Sequence, residues 1–158
     1  MSAHTGQFGG QTVINHAVAS VNQYNVGAGG FMEFTADVGV GSTVTLRGTN
    51  ATPAQLRLDD PTDFKGGVNF SKSIVDLANL AGAHDWNIQG STLSIYAANS
   101  STSHNKVIDR LTIADNSGLP YNGGSNLQLF QQAGDVFVTE HGQSAPYGAT
   151  LMLMHPHT

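Results

Sequence analysis

The chain has 158 residues, a formal net charge of −5 and no cysteine. Charged residues make up only 11% of it, against about 25% in a typical domain, and 19 glycines and many Asn, Ser and Thr take their place. Six Lys and Arg in total argue against a nucleic-acid or anionic-membrane surface, because both need clustered cations. The lack of cysteine excludes disulfides and thiolate metal sites.

Alternation of apolar and polar residues predicts β-strands along most of the chain. In chain order, the strand-like segments are QTVINHAV, GGFMEFTADV, STVTLRG, AQLRLDD, GGVNFSKSIVDL, DWNIQ, STLSIYAA, KVIDRLTIAD, NLQLFQQ, DVFVTEH and ATLMLMH. Within them, Val44 and Leu46 share one face, as do Leu56 and Leu58. Helical spacing is weak everywhere except VDLANLAGAH, where we expect one short helical turn.

Turns rich in Gly, Asn and Ser separate these segments roughly every ten residues, which predicts an all-β fold. A loose x-L-x-L element recurs, at Thr43–Leu46, Gln55–Leu58, Thr92–Ile95 and Asn126–Leu129. Such repetition favours a short β-solenoid, in which each coil stacks on the next. A β-sandwich produces the same local pattern and stays open as the alternative.

We expect two regions in the chain. Residues 1–30 carry fewer strand signals and are predicted to form an extended N-terminal arm, while residues 31–158 form a single all-β domain. No apolar run is long enough for a transmembrane helix, and MSAHTGQFGG lacks the basic and apolar regions of a secretory signal peptide. We therefore expect no membrane insertion. Three possibilities follow: an intracellular protein, a mature product, or export by a route that leaves the N-terminus intact, and we favour a protein outside or on the surface of a bacterium.

Residues 41–114 resemble modules of large secreted bacterial adhesins, autotransporter passengers and repeats-in-toxin-like exoproteins. The matching motifs are a strand end at Leu56–Pro61, a step at Phe64–Val68, a strand at Ile74–Leu80 and a hairpin at Trp86–Ile95. The resemblance implies a β-solenoid or β-roll on the outside of a bacterium. The chain lacks the G-G-x-G-x-D repeats that bind calcium in β-rolls, so we do not expect calcium-driven folding.

The acidic corner after the second x-L-x-L element is a candidate metal site. Asp59, Asp60 and Asp63 offer carboxylate oxygens at short spacing, as Ca²⁺ requires. The competing interpretation is a turn, because an Asp before a Pro caps the backbone and Pro61 stops the strand. We favour the turn and expect no other cofactor. We also expect no enzyme, because no nucleophile or paired carboxylates stand out.

The aromatic residues suggest carbohydrate binding as an alternative function. Tyr24, Tyr96, Tyr121 and Tyr147 would stack on sugar rings if they were exposed, which would suit an adhesin or carbohydrate-binding module. We expect Trp86 to fill the core instead. A polysaccharide-active enzyme is the second alternative.

The function that we favour from sequence is self-assembly. The apolar segment GATLMLMH carries no Asp, Glu, Lys or Arg to protect a strand edge, and unprotected edges pair with other chains. We expect an extracellular structural protein that forms filaments or a biofilm matrix through strand and end-stacking contacts. Its partners would be further copies of itself and extracellular polysaccharide.

Overall fold

The computed structural model of the protein describes residues 4–8, 11–14, 17–18, 22–97, 106–116, 121, 126–141, 143 and 148–154. Within these ranges the chain forms β-strands and one 3-10 turn, Pro61–Asp63, and no α-helix. The strands are β1 (His4–Phe8), β2 (Gln11–Ile14), β3 (Asn22–Gly27), β4 (Phe31–Phe34), β5 (Thr43–Arg47), β6 (Gln55–Leu58), β7 (Gly67–Ser71), β8 (Ile74–Leu77), β9 (Ala83–Gln89), β10 (Thr92–Ala97), β11 (Lys106–Asp115), β12 (Leu127–Gln132), β13 (Asp135–Glu140), β14 (Thr150–Leu151) and β15 (Leu153–Met154). The predicted all-β class is confirmed.

The strands form two mixed sheets. Sheet A has the order β1-β3-β5-β7-β11-β10-β9-β15, and sheet B has the order β14-β12-β13-β8-β6-β4-β2. Buried side chains from both sheets belong to one hydrophobic core, so the sheets pack face to face. None of the described segments is a helix long and apolar enough to cross a membrane.

The first eight strands alternate between the sheets, with odd-numbered strands in sheet A and even-numbered strands in sheet B. Neighbours within each set run parallel, so that Met32 of β4 lies beside Leu56 of β6. Val18, Val38 and Phe64 lie in the connections that lead from a sheet B strand to the next sheet A strand. Single parallel bridges join Val18 to Val38 and Val38 to Phe64. Each of these residues therefore stacks on its counterpart in the next pass of the chain.

The alternation in the sequence determines which side chains enter the core. Val44, Leu46 and Leu56 are fully buried and Leu58 is 1% exposed, as their period-two spacing predicts. Removing each such side chain from water contributes about 1.5–3 kcal/mol to folding. The ring of Phe34 adds an edge-to-face contact with Tyr24, with ring centroids 5.3 Å apart.

One glycine is required by the close approach of two passes of the chain. A Cβ at Gly48, which follows β5, would lie 2.2 Å from the carbonyl oxygen of Lys72 and 2.5 Å from the nitrogen of Ala54. The Gly48 N–H donates to the Ser71 carbonyl at 3.0 Å, which holds the backbones together. Any larger residue would force them apart.

The second half of the chain is dominated by antiparallel hairpins. Strand β10 pairs antiparallel with both β9 and β11, and β11 joins sheet A through parallel pairing with β7. In sheet B, β12 and β13 form a hairpin, and β13 runs antiparallel to β8. These hairpins make both sheets mixed. In each sheet they lie between the stacked strands of the first half, β1 to β8, and the C-terminal strands β14 and β15.

The C-terminal segment differs from the open strand that we expected. It divides into β14 on sheet B and β15 on sheet A, and Met152 between them is buried, with 3% exposed. The indole N–H of Trp86 donates to the Met152 carbonyl at 3.3 Å. The segment therefore crosses the end of the core and covers it, because its apolar side chains gain more from burial than from an exposed edge.

The predicted helical turn in residues 75–84 is wrong. Val75 and Leu77 alternate inward as strand β8, and Asn79 and Gly82 then take positive φ angles of 60° and 88°, which break a helix. In the predicted arm, β3 is in register with β5, and Tyr24 enters the core. Residues 22–27 are thus part of sheet A.

Candidate functional site

The acidic corner forms a 3-10 turn. Asp60 precedes the turn, Pro61 occupies its first position, and the Asp63 N–H donates to the Asp60 carbonyl at 3.1 Å. The Thr62 hydroxyl donates to the Asp60 carboxylate at 3.0 Å. These local bonds explain an Asp-Pro pair at the end of a strand, because they satisfy the backbone as the chain turns.

The three aspartates of the corner separate into two environments. Asp60 and Asp63 lie with Asp37, and carboxylate oxygens of the three are within 4.8 Å of one another. Repulsion from Asp60 and then Asp37 raises the pKa of the Asp63 carboxyl. Ca²⁺ takes six to eight oxygens, and Asp37 and Asp63 are exposed, so the group on its own does not define a metal site.

Asp59 instead belongs to a charge network around Arg57 on the outer face of sheet B. The Arg57 Nε donates to Asp59 at 2.8 Å, and Nη1 donates to Asp76 at 2.7 Å and to Asp135 at 3.0 Å. Glu33 lies 3.7 Å from Nε. A single guanidinium thus connects strands β4, β6, β8 and β13.

The network shifts the proton affinity of its members. Burial is the largest cause that raises the pKa of the Asp76 carboxyl to about 7, and a hydrogen bond and repulsion from Asp135 add to it, although Arg57 opposes the rise. Burial works against the Arg57 charge, yet Asp76 and the other carboxylates raise the pKa of its guanidinium overall. Because the carboxylates converge on one cation, the network acts as a brace between strands.

Sequence reasoning missed this brace, although a signal for it was present. Glu33, Arg57 and Asp76 each occupy the third position of a short strand and face each other in register. Aligning the predicted strand segments FMEF, QLRL and IVDL by their apolar positions would have placed these three charges in one row. Asp135 directly follows the turn between β12 and β13, and no alignment of strand segments marks it as a partner of Arg57.

The two ends of the stacked sheets differ. At the first end, β1 and β2 are the outermost strands, with five and four residues, and each pairs on one side only within the described chain. At the second end, β14 and β15 have two residues each. Short edge strands limit pairing with other chains, whereas longer ones invite it. The first end is therefore the better candidate for an interface.

The open edge of β2 can be traced to individual backbone groups. The Thr35 N–H donates to the Ile14 carbonyl at 3.0 Å, so Ile14 directs its polar backbone groups to β4. Successive residues of a strand direct these groups to opposite sides, and Val13 therefore directs its N–H and C=O away from β4. Its side chain is 50% exposed on the outer face of sheet B.

The second end carries a small apolar surface on the same outer face. Phe130 of β12 pairs in register with Phe137 of β13 on one side and with Leu151 of β14 on the other. Both phenylalanines are half-buried, and Leu151 is 52% exposed. Cross-strand neighbours of this kind form a continuous apolar strip.

Two of the four tyrosines considered for sugar stacking lie in the core. Trp86 is 3% exposed, and its predicted place in the core is confirmed. Tyr24 and Tyr121 are 7% and 5% exposed, so these two side chains do not meet the exposure that sugar stacking requires. The Tyr121 hydroxyl donates to the Phe70 carbonyl at 2.8 Å, which satisfies its polar end inside the core. Tyr96 is half-buried, and Tyr147 lies outside the described residues.

In comparisons with known proteins, no family model matches the chain, and neither a curated protein nor a solved structure is significantly similar to it. The fold defines an all-β protein of two mixed sheets. The resemblance of residues 41–114 to modules of secreted bacterial adhesins stays a prediction.

Proposed function

We propose that the chain is a short β-solenoid with one covered end, and that it works as an extracellular structural protein that self-assembles. The stacking of strands in alternating parallel sheets supports the solenoid, because each pass of the chain lies on the previous one in register. The scarcity of charge and the resemblance to secreted bacterial modules support the extracellular setting.

The observation that carries the proposal is the contrast between the two ends. The open edges of β1 and β2 present backbone groups that pair with no other described strand, and the occupant that we assign to them is the same end of a second copy. Such a contact is two-fold symmetric, with β2 of each copy antiparallel to the other. Both partners then contribute their longer edges, whereas a head-to-tail contact would use the two-residue strands.

Filaments or a matrix require a second contact. The apolar strip of Phe130, Phe137 and Leu151 supplies it when two copies meet at their second ends. Alternating contacts of the two kinds produce a filament without polarity when they do not close into a ring, and this open arrangement is the one that we propose. Extracellular polysaccharide would fill the spaces in such a matrix.

Light scattering after size-exclusion chromatography, over a series of protein concentrations, tests this assembly together with electron microscopy. We expect Val13→Lys to abolish the first contact and Leu151→Lys to abolish the second, so that each variant stops at a dimer and the double variant is monomeric. Val40→Lys is the matched control, because Val40 is 68% exposed but lies in a turn and outside both edges.

Two results would overturn the proposal. One is a wild-type protein that stays monomeric at every concentration, salt and pH. The other is equal loss of assembly in Val13→Lys and Val40→Lys, which would show a general effect of added charge. Circular dichroism of each variant confirms that its strands are intact.

A further inference from the structure

A cavity of about 430 Å³ lies beside the acidic corner, and the assembly proposed above makes no use of it. Its walls come from the 3-10 turn and the segment that follows it, from the turn at Val40 and from the first half of β11. Phe64 and Ile108 supply apolar wall, and Lys65, Asp109 and Arg110 supply charge. Ligand cavities typically combine apolar walls with a few placed polar groups at volumes of about 300–1,000 Å³.

Asp109 is the unusual residue of this cavity. It is 6% exposed and shares a strand face with the buried Leu111 and Ile113, so a carboxyl group stands where alternation places an apolar side chain. Its Oδ2 is buried and makes no hydrogen bond within the described residues. An unsatisfied buried carboxylate oxygen costs free energy, and a rotation of the carboxyl group toward the cavity would let a ligand hydroxyl satisfy it.

The charges around the cavity indicate which ligands fit. Lys65 and Arg110 would repel a cationic ligand, and Asp109 and the neighbouring Asp60 of the corner would repel an anionic one. A neutral ligand with several hydroxyl groups suits both signs, because hydroxyls donate to carboxylates and accept from Lys and Arg. The apolar wall at Phe64 and Ile108 suits the C–H face of a sugar ring.

We propose that this cavity binds one ring of a neutral polysaccharide, with Asp109 accepting hydrogen bonds from sugar hydroxyls and Lys65 and Arg110 donating to them. The site is distinct from the aromatic platform predicted from sequence. It does not depend on self-assembly, so Val13→Lys should bind saccharide as the wild type does.

Isothermal titration calorimetry with cellohexaose, maltohexaose and laminarihexaose tests the proposal. Trigalacturonate and CaCl₂ are the anionic and cationic probes. At about pH 8, where the Asp109 carboxyl is ionised, we expect at least one neutral hexasaccharide to bind, with affinity lowered about tenfold or more by Asp109→Asn and by Lys65→Met, since each removes a charge-assisted hydrogen bond. Lys72→Met is the matched control, because Lys72 is exposed and does not line the cavity.

The proposal is wrong if none of the neutral saccharides binds at millimolar concentration, or if only trigalacturonate or Ca²⁺ binds. It is also wrong if both cavity variants bind as tightly as Lys72→Met. Fluorescence of the single, buried Trp86 shows for each variant that the fold is intact.

Discussion

Replacing Asp109 by Asn should make the protein more stable at alkaline pH. Burial is the largest cause that raises the pKa of the Asp109 carboxyl to about 7, repulsion from Asp60 adds to it, and the backbone N–H of Arg110 and the charge of Lys65 oppose it. In the unfolded chain an aspartate titrates near pH ~3.9. The folded state therefore holds this proton over a pH range in which the unfolded state has already lost it.

The sign of the effect follows from this difference. Between about pH 4 and 7 the unfolded state binds fewer protons, so the free energy of unfolding falls as pH rises. Asp109 therefore stabilises the fold fully only below about pH 4. Because one pKa unit corresponds to about 1.4 kcal/mol, a rise of about 3 pKa units limits the loss in the free energy of unfolding to about 4 kcal/mol. The amide introduced by Asp109→Asn stays neutral at every pH, so this variant should avoid the loss.

Urea unfolding, followed by Trp86 fluorescence at about pH 4.5, 6 and 8, measures the effect. We expect Asp109→Asn to match the wild type within about 1 kcal/mol at pH 4.5 and to exceed it by about 2–4 kcal/mol at pH 8. Asp115→Asn on the same strand controls for the loss of one negative charge. A difference between Asp109→Asn and wild type that is constant with pH would refute the reasoning.

Three further substitutions test the packing by the same urea unfolding. Arg57→Met should cost about 2–3 kcal/mol at neutral pH and less at about pH 4, because the pKa values of the Asp76 and Glu33 carboxyls are raised and these groups take up protons as the pH falls; an equal cost at both pH values would argue against a charge brace. Gly48→Ala should cost more than about 3 kcal/mol and Gly27→Ala less than about 1 kcal/mol, because a Cβ at Gly27 meets no atom within 4 Å; similar costs would contradict the close approach at Gly48. Met152→Ala should cost about 2–4 kcal/mol, and a negligible loss would show that Met152 does not cover the core.

The strands and the inward faces could be predicted from the sequence because both depend on local alternation. Val44 and Leu46 enter the core for that reason alone. Which strands become neighbours could not be predicted, because residues that lie side by side, such as Met32 and Leu56, are far apart in the chain. The predicted acidic group lacked Asp37 for the same reason, because Asp37 is distant in the chain from Asp60 and Asp63.

Two expectations depended on partners that lie far away in the chain. The sugar-stacking alternative requires an exposed Tyr121, but the Phe70 carbonyl accepts the hydrogen bond of its hydroxyl inside the core. The C-terminal apolar run was interpreted as an open edge, but it crosses between the sheets at Met152. In both cases the deciding contact is made by a residue distant in sequence, which no local pattern reveals.

Disulfide trapping tests the proposed assembly most directly, because the chain contains no cysteine of its own. In the proposed contact, Val13 of one copy lies across the open edge from β2 of the other. We predict that oxidised Val13→Cys yields a covalent dimer in high yield at low protein concentration, while Val40→Cys does not. Equal yields from the two variants, or no dimer from Val13→Cys, would contradict assembly through the β1–β2 end.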